Sequence, residues 1–129
     1  AALAAQSTDP TLVPDLLETL RDMEADIAIH TLPIRGDRAF HIRIAQASDN
    51  SALQAVVTQL FDERNGPMFQ ALGGHFEREA TWQQAVDEHR AVVEAIAAQD
   101  PDMARAAMSG HLDHSHQRFS AGWTTPADA

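Results

Sequence analysis

The chain has no cysteine, no tyrosine and no long apolar run. Without cysteine there is neither a disulfide nor a thiolate-held metal, so any metal chemistry must rest on histidine and carboxylate. No stretch approaches the roughly 20 apolar residues that span a bilayer, and no signal peptide is visible. The expectation is a cytoplasmic protein with no membrane partner. Positive charge is also scarce: 9 basic residues against 19 acidic ones give a formal charge of −10. Phosphate neutralisation requires a basic face, so this segment is poorly suited to bind nucleic acid itself. β-Branched runs are few and alanine is abundant, which favours helix over sheet. The 129 residues are enough for one domain with a real core and short for two. What the chain does carry is histidine, seven in all and none in a tag-like cluster.

Apolar periodicity and punctuation mark about six helices. Residues 1–6 read as the end of a helix whose beginning lies outside the sequence. Ser7-Thr8-Asp9-Pro10 then stops the chain and restarts it, with Asp9 as N-cap and Pro10 at the first helical position. The helix that follows, about 10–30, places Leu12, Leu16, Leu17, Leu20, Met23 and Ile27 at helical spacing. Pro14 falls in its first turn, where proline is tolerated, and Thr31-Leu32-Pro33 ends it. The next, about 34–48, carries Phe40, Ile44 and Ala47, and Ser48 to Ser51 form a turn and cap. A fourth helix bears Leu53, Val56, Val57, Leu60, Phe61 and then Arg64. Gly66-Pro67 bends it, and Met68 to Leu72 resume it before Gly73-Gly74. A fifth, about 79–99, has Trp82, Ala85, Val86, His89, Val92, Val93 and Ile96. Asp100-Pro101 turns the chain into a sixth, about 102–120, and the tail 122–129 reads as frayed. Short connections predict an all-α antiparallel bundle.

Asp37 and His41 are four residues apart on one helix, so both side chains leave the same face one turn apart and one cation can take both. Two ligands hold a metal poorly. His89 lies roughly eleven residues before the Asp100-Pro101 turn and His111 roughly eleven after it, so at about 1.5 Å per residue both stand at the same level of an antiparallel hairpin. An inward histidine by itself is more often a hydrogen-bonded core residue than a ligand. The matched heights raise the joint case for an Asp37, His41, His89, His111 set, which suits zinc, nickel or manganese. His114, one turn beyond His111, can line the same cavity or cover its rim. His30, His75 and His116 read as surface or loop residues. Arg64 continues an apolar stripe, so its guanidinium either turns inward to grip a carboxylate or snorkels out to pair with an acid such as Glu63. Arg38 and Arg43 flank the Asp37–His41 pair. An enzyme would need a general base near the metal, and Glu88, roughly 100° around its helix from His89, is poorly placed for that. A purely structural metal is the third reading.

Three segments resemble the C-terminal effector-binding (FCD) domain of the FadR subfamily of GntR-type transcriptional regulators. They are Asp37-x-x-Phe40-His41-x-x-Ile44-Ala45-x-Ala47-Ser48-x-Asn50, then Glu88-His89-x-x-Val92-x-x-Ala95-Ile96, then Ala104 to Met108 with His111-Leu112. The resemblance implies an antiparallel bundle around a central cavity, with metal on Asp37, His41, His89 and His111. It also implies a small carboxylate effector beside the metal, met by Arg64, His114, Arg38 and Asn50, and a homodimer. Arg64-Asn65-Gly66-Pro67-Met68-Phe69 is similar to the same stretch of hexuronate-responsive regulators, which puts sugar acids first among effectors. On this reading the protein is a sensor and not an enzyme. The winged helix-turn-helix region that reads DNA, and most of the family's first bundle helix, are not in the sequence.

Overall fold

Helix ends follow the turn chemistry closely. The computed structural model describes residues 1–68 and 79–124, and these contain a 3-10 turn (Ala4–Gln6) and five α-helices. The helices are α1 (Leu12–Ala28), α2 (Ile34–Ala47), α3 (Ser51–Arg64), α4 (Glu79–Ala97) and α5 (Pro101–Thr124). The Asp9 carboxylate accepts from the Thr11 amide at 2.9 Å and the Thr11 hydroxyl at 2.7 Å. That turn delays α1 to Leu12, later than the start expected at Pro10. α1 and α4 both close through a residue in the left-handed region, His30 (φ 58°) and Gln99 (φ 52°). In each case the next amide returns to the helix: Thr31 N–H to the Asp26 carbonyl at 2.9 Å, Asp100 N–H to the Ala95 carbonyl at 3.1 Å. The Asp100 carboxylate then accepts from the Met103 amide at 3.0 Å and caps α5. One residue thus ends α4 and begins α5, which fixes the register of that hairpin.

α1 lies in the middle, against α2 on one side and α4 on the other, while α4 pairs with α5 and the Ala4–Gln6 turn closes over α2, α4 and α5. Leu12, Leu16, Leu20 and Met23 meet Phe40 and Ile44 of α2 and Val86, Val92 and Ile96 of α4 in one core. The backbones of α2 and α4 nowhere approach closely. Side chains fill the space between them, and the functional residues are among those side chains. α1 and α2 cross at near backbone contact: a Cβ on Gly36 would lie 2.6 Å from Met23 Cγ and 3.0 Å from the Thr19 carbonyl oxygen.

Several expectations change. Residues 4–6 form a 3-10 turn in which Ala4 and Ala5 are buried. α3 leaves Leu53, Val56 and Leu60 42, 54 and 59% exposed, and no residue of the helix is buried. An apolar period needs a second surface to cover it, and among the described elements the α3 backbone lies close only to α2. α5 continues to Thr124, beyond the end expected at about residue 120. Pro67 and Met68 are helical again; the rest of the expected resumption at 69–72, the Gly73-Gly74 stop, His75 and residues 125–129 lie outside the described residues. No described helix is long and apolar enough to cross a membrane.

Gly36→Ala tests the α1–α2 crossing. Alanine adds about 1 kcal/mol of helix propensity, yet its methyl group meets α1 backbone that cannot move aside alone. Net destabilisation of at least about 1 kcal/mol is expected in urea unfolding. A midpoint equal to or above that of the parent chain would disprove the close crossing.

Candidate metal centre

Asp37 enters the first turn of α2 and His41 follows one turn later, both on the side that meets His89 of α4. Neighbouring rings fix the imidazoles. Phe40 stacks on His89 with centroids 4.0 Å apart and planes 6° from parallel. His41 stacks on Phe61 of α3 at 4.6 Å and faces His111 at 5.4 Å. The hairpin brings His89 and His111 level, with their Nε2 atoms 3.1 Å apart. Asp37 Oδ1 lies 3.4 Å from both His41 Nε2 and His89 Nε2. All four residues are buried, and one donor atom from each lies within 4.8 Å of the other three.

The donor set fits a divalent cation. An ion roughly 2.0–2.2 Å from nitrogen and oxygen donors keeps them roughly 3–4 Å apart, close to the separations found. The protons are arranged for it as well. Glu88 Oε1 sits 3.0 Å from His111 Nδ1, and a carboxylate only accepts, so the His111 proton is on Nδ1 and the Nε2 lone pair faces the cluster. His89 Nδ1 is buried without a hydrogen-bond partner, which confines that ring's polar contacts to its Nε2 side.

Electrostatics keep the ligands in binding form. Burial pushes the Asp37 carboxyl up, but the His41 hydrogen bond and the attraction of His41 and Arg64 outweigh it and hold it at about 2. Burial likewise raises Glu88, and hydrogen bonds from Arg118, His111 and His114 bring it down to about 2. Burial, with His41 nearby, holds His89 well below 6.5, and burial also lowers His111. The two carboxylates are therefore ionised and these two imidazoles neutral near pH 7.

Arg64 turns inward. Its guanidinium donates to Asp37 Oδ2 at 2.9 Å and lies 5.5 Å over the Trp82 ring. The acid it meets is a candidate metal ligand, not Glu63, so Asp37 gives one oxygen to the histidines and the other to α3. A cavity of about 280 Å³ opens on this group, lined by Asp37, Arg64, Trp82, His111, Ser115 and Arg118 among others. That volume is at the small end for a ligand pocket.

Three expected effector contacts are not brought to the cavity. His114 Nδ1 lies 2.6 Å from Glu88 Oε2 on the outer side of α5, and the side chain is more than half exposed. Arg38 donates to Asp62 of α3 at 2.9 Å, and Asn50 caps α3 by accepting from the Leu53 amide at 3.0 Å. The helix explains the first case. Three residues beyond His111 the α5 surface has turned outward, whereas Ser115 and Arg118, four and seven residues on, return to the cavity wall. His116, expected on the surface, is exposed yet lines the cavity, and His30 pairs with Glu79 on the surface. Arg43 holds Asp9 ahead of α1 and Asp15 in its first turn, each at 2.8 Å. The residues missed by spacing alone are Glu88 and Arg118. A glutamate beside an inward histidine, facing a helix with a histidine at matching height and an arginine seven residues further on, was the available signal.

The family profile described as FCD domain matches residues 1–114. The chain belongs to the FCD domain family. It is similar to the Exu regulon transcriptional regulator of Escherichia coli (strain K12), with 34% identity over 80 residues, 61% of this chain and 31% of the relative. A protein of the same organism named for regulation of the L-lactate dehydrogenase operon is 30% identical over 116 residues, 90% of this chain and 43% of its own length. The Uxu operon transcriptional regulator of that organism is 32% identical over 85 residues, 65% of this chain and 33% of the relative. These FCD relatives are named as regulators, not enzymes, and the chain spans less than half the length of each.

Stability of the metal-free FCD domain should fall with pH. His89 and His111 titrate below 6.5 when folded, so the unfolded chain takes protons first as pH drops through 6.5. Asp37 and Glu88, displaced from 3.8 and 4.5 to about 2, extend the loss further down. The expected observation is a Tm that declines from pH 6.5 to 4.5; a constant Tm across that range would contradict the neutral, buried imidazoles.

Proposed function

We propose that this chain is the effector-sensing domain of a bacterial transcriptional regulator. Asp37, His41, His89 and His111 hold a divalent metal, zinc first and nickel or manganese next. A small carboxylate binds in the adjoining cavity, and a hexuronate or related sugar acid is favoured. The observation that carries the reading is the buried Asp–His group opening onto a small cavity whose wall includes Arg64. When bound, the metal supplies a Lewis-acidic anchor for ligand oxygens. Arg64 offers donors to a carboxylate while it steadies Asp37, and Trp82 with Ala85 excludes water from one wall. The sugar-acid preference rests on the Arg64–Phe69 stretch, and relatives named for Exu and Uxu regulation agree with it. The L-lactate dehydrogenase operon relative keeps a smaller hydroxy acid as the second choice.

The acidic charge of −10 supports assigning DNA contact to a winged helix-turn-helix region outside this sequence. Regulation then follows from binding that favours one helix arrangement over another in a cytoplasmic homodimer. Catalysis is not part of the role: saturable binding of glucuronate by the zinc-loaded chain, without turnover, is the expected behaviour.

Two measurements test the site. His89→Ala or His111→Ala should abolish stoichiometric metal in elemental analysis, and unchanged metal content would overturn the centre. Arg64→Ala should weaken glucuronate binding by roughly 1.5–3 kcal/mol, as expected for a charge-assisted hydrogen bond. An unaltered calorimetric affinity would remove Arg64 from ligand recognition.

A further inference from the structure

We propose that Glu88 is the positioning residue of the metal centre, and that Arg118 ties the grip of Glu88 to the effector cavity. The inference rests on the metal reading above. Glu88 stands on α4 beside His89 but faces α5, where it has three partners. Its Oε1 accepts from His111 Nδ1 at 3.0 Å and from Arg118 Nη2 at 2.7 Å, and its Oε2 accepts from Arg118 Nη1 at 3.2 Å. His114 Nδ1 lies 2.6 Å from Oε2. The arginine fork is two-pronged, so it fixes the carboxylate plane as well as its position.

One oxygen is shared by the arginine and the ligand histidine. Its hydrogen bond sets the tautomer of His111, turns the ring about its Cβ and enriches the electron density at Nε2. Glu88 therefore acts on the metal through His111 and touches neither metal nor ligand. Arg118 is different: it grips Glu88, donates to Ser115 Oγ at 3.2 Å, and also lines the cavity. An anion in the cavity competes with Glu88 for that guanidinium. The order of contacts is cavity, Arg118, Glu88, His111, cation position, each step a hydrogen bond or a shared wall. A carboxylate that only fastened α4 to α5 would not need to meet a ligand histidine on the oxygen that the arginine holds most closely.

The test uses the whole chain labelled with nitrogen-15 histidine. In metal-free protein His111 should be the Nδ1–H tautomer by long-range nitrogen–proton correlation. Glu88→Ala should mix the tautomers and weaken Zn²⁺ binding about 10–100-fold in competition with a chromophoric chelator. Glu88→Gln, whose amide oxygen still accepts from Nδ1–H, should restore the tautomer and most of the affinity; it also decides the matter if the alanine variant does not fold. Arg118→Ala should weaken Zn²⁺ by less than Glu88→Ala does. A lowered Tm with parental tautomer and Zn²⁺ affinity in Glu88→Ala, or in Glu88→Gln no better than alanine, would overturn the positioning role. Parental Zn²⁺ affinity in Arg118→Ala would overturn the link to the cavity. A parent chain that binds no Zn²⁺ defeats the metal reading instead, and the metal-free tautomer data still report whether Glu88 controls His111.

Discussion

A carboxylate buried between helices is the constraint on which the arrangement turns. Asp37 is only 3% exposed, and an isolated ionised carboxyl there would be strongly unfavourable. It is tolerated because its oxygens face two imidazoles on one side and the Arg64 guanidinium on the other. Each partner comes from a different place: His41 from α2 itself, His89 from α4, Arg64 from the end of α3. The α2 and α4 backbones stay apart, and this polar group and the Phe40–His89 stack reach across the gap beside the shared apolar core. α3, with no buried residue, is positioned at its far end by the same carboxylate.

The α4–α5 hairpin is the complementary rigid part. Gln99 and Asp100 end one helix and start the next with no slack, so the heights of residues on the two strands of the hairpin are set by counting. That places His111 opposite His89 and, through the neighbouring position, opposite Glu88 as well. One turn geometry therefore delivers both a pair of donors and the carboxylate that orients one of them.

Much of this was legible before any coordinates. The all-α bundle followed from helical periodicity and turn residues, and the four side chains brought together are those that one i,i+4 pair and one count about Asp100-Pro101 had singled out. Those features depend on a single helix or a single hairpin. What was not legible depends on a second helix. Glu88 was set aside because it points about 100° from His89, and that direction proves to be the α5 interface. The apolar residues Leu53, Val56 and Leu60 of α3 are exposed among the described residues, since a period does not say which surface lies opposite it. His114 and Arg38 were one helix angle away from the cavity, and Asn50 was taken up by the cap its own position had suggested.

The division of the donors has a consequence for the chain as a polymer. Asp37 and His41 form one local pair and His89 and His111 another, and the weakly packed α3 lies in the sequence between them. A cation held by all four would close that intervening loop, removing conformations mainly from the unfolded ensemble. It would also add the mass-action stabilisation of any ligand that binds only the folded state. In a protein without a single cysteine, the centre would serve as a reversible cross-link, fastened when the ion is present and released when it leaves.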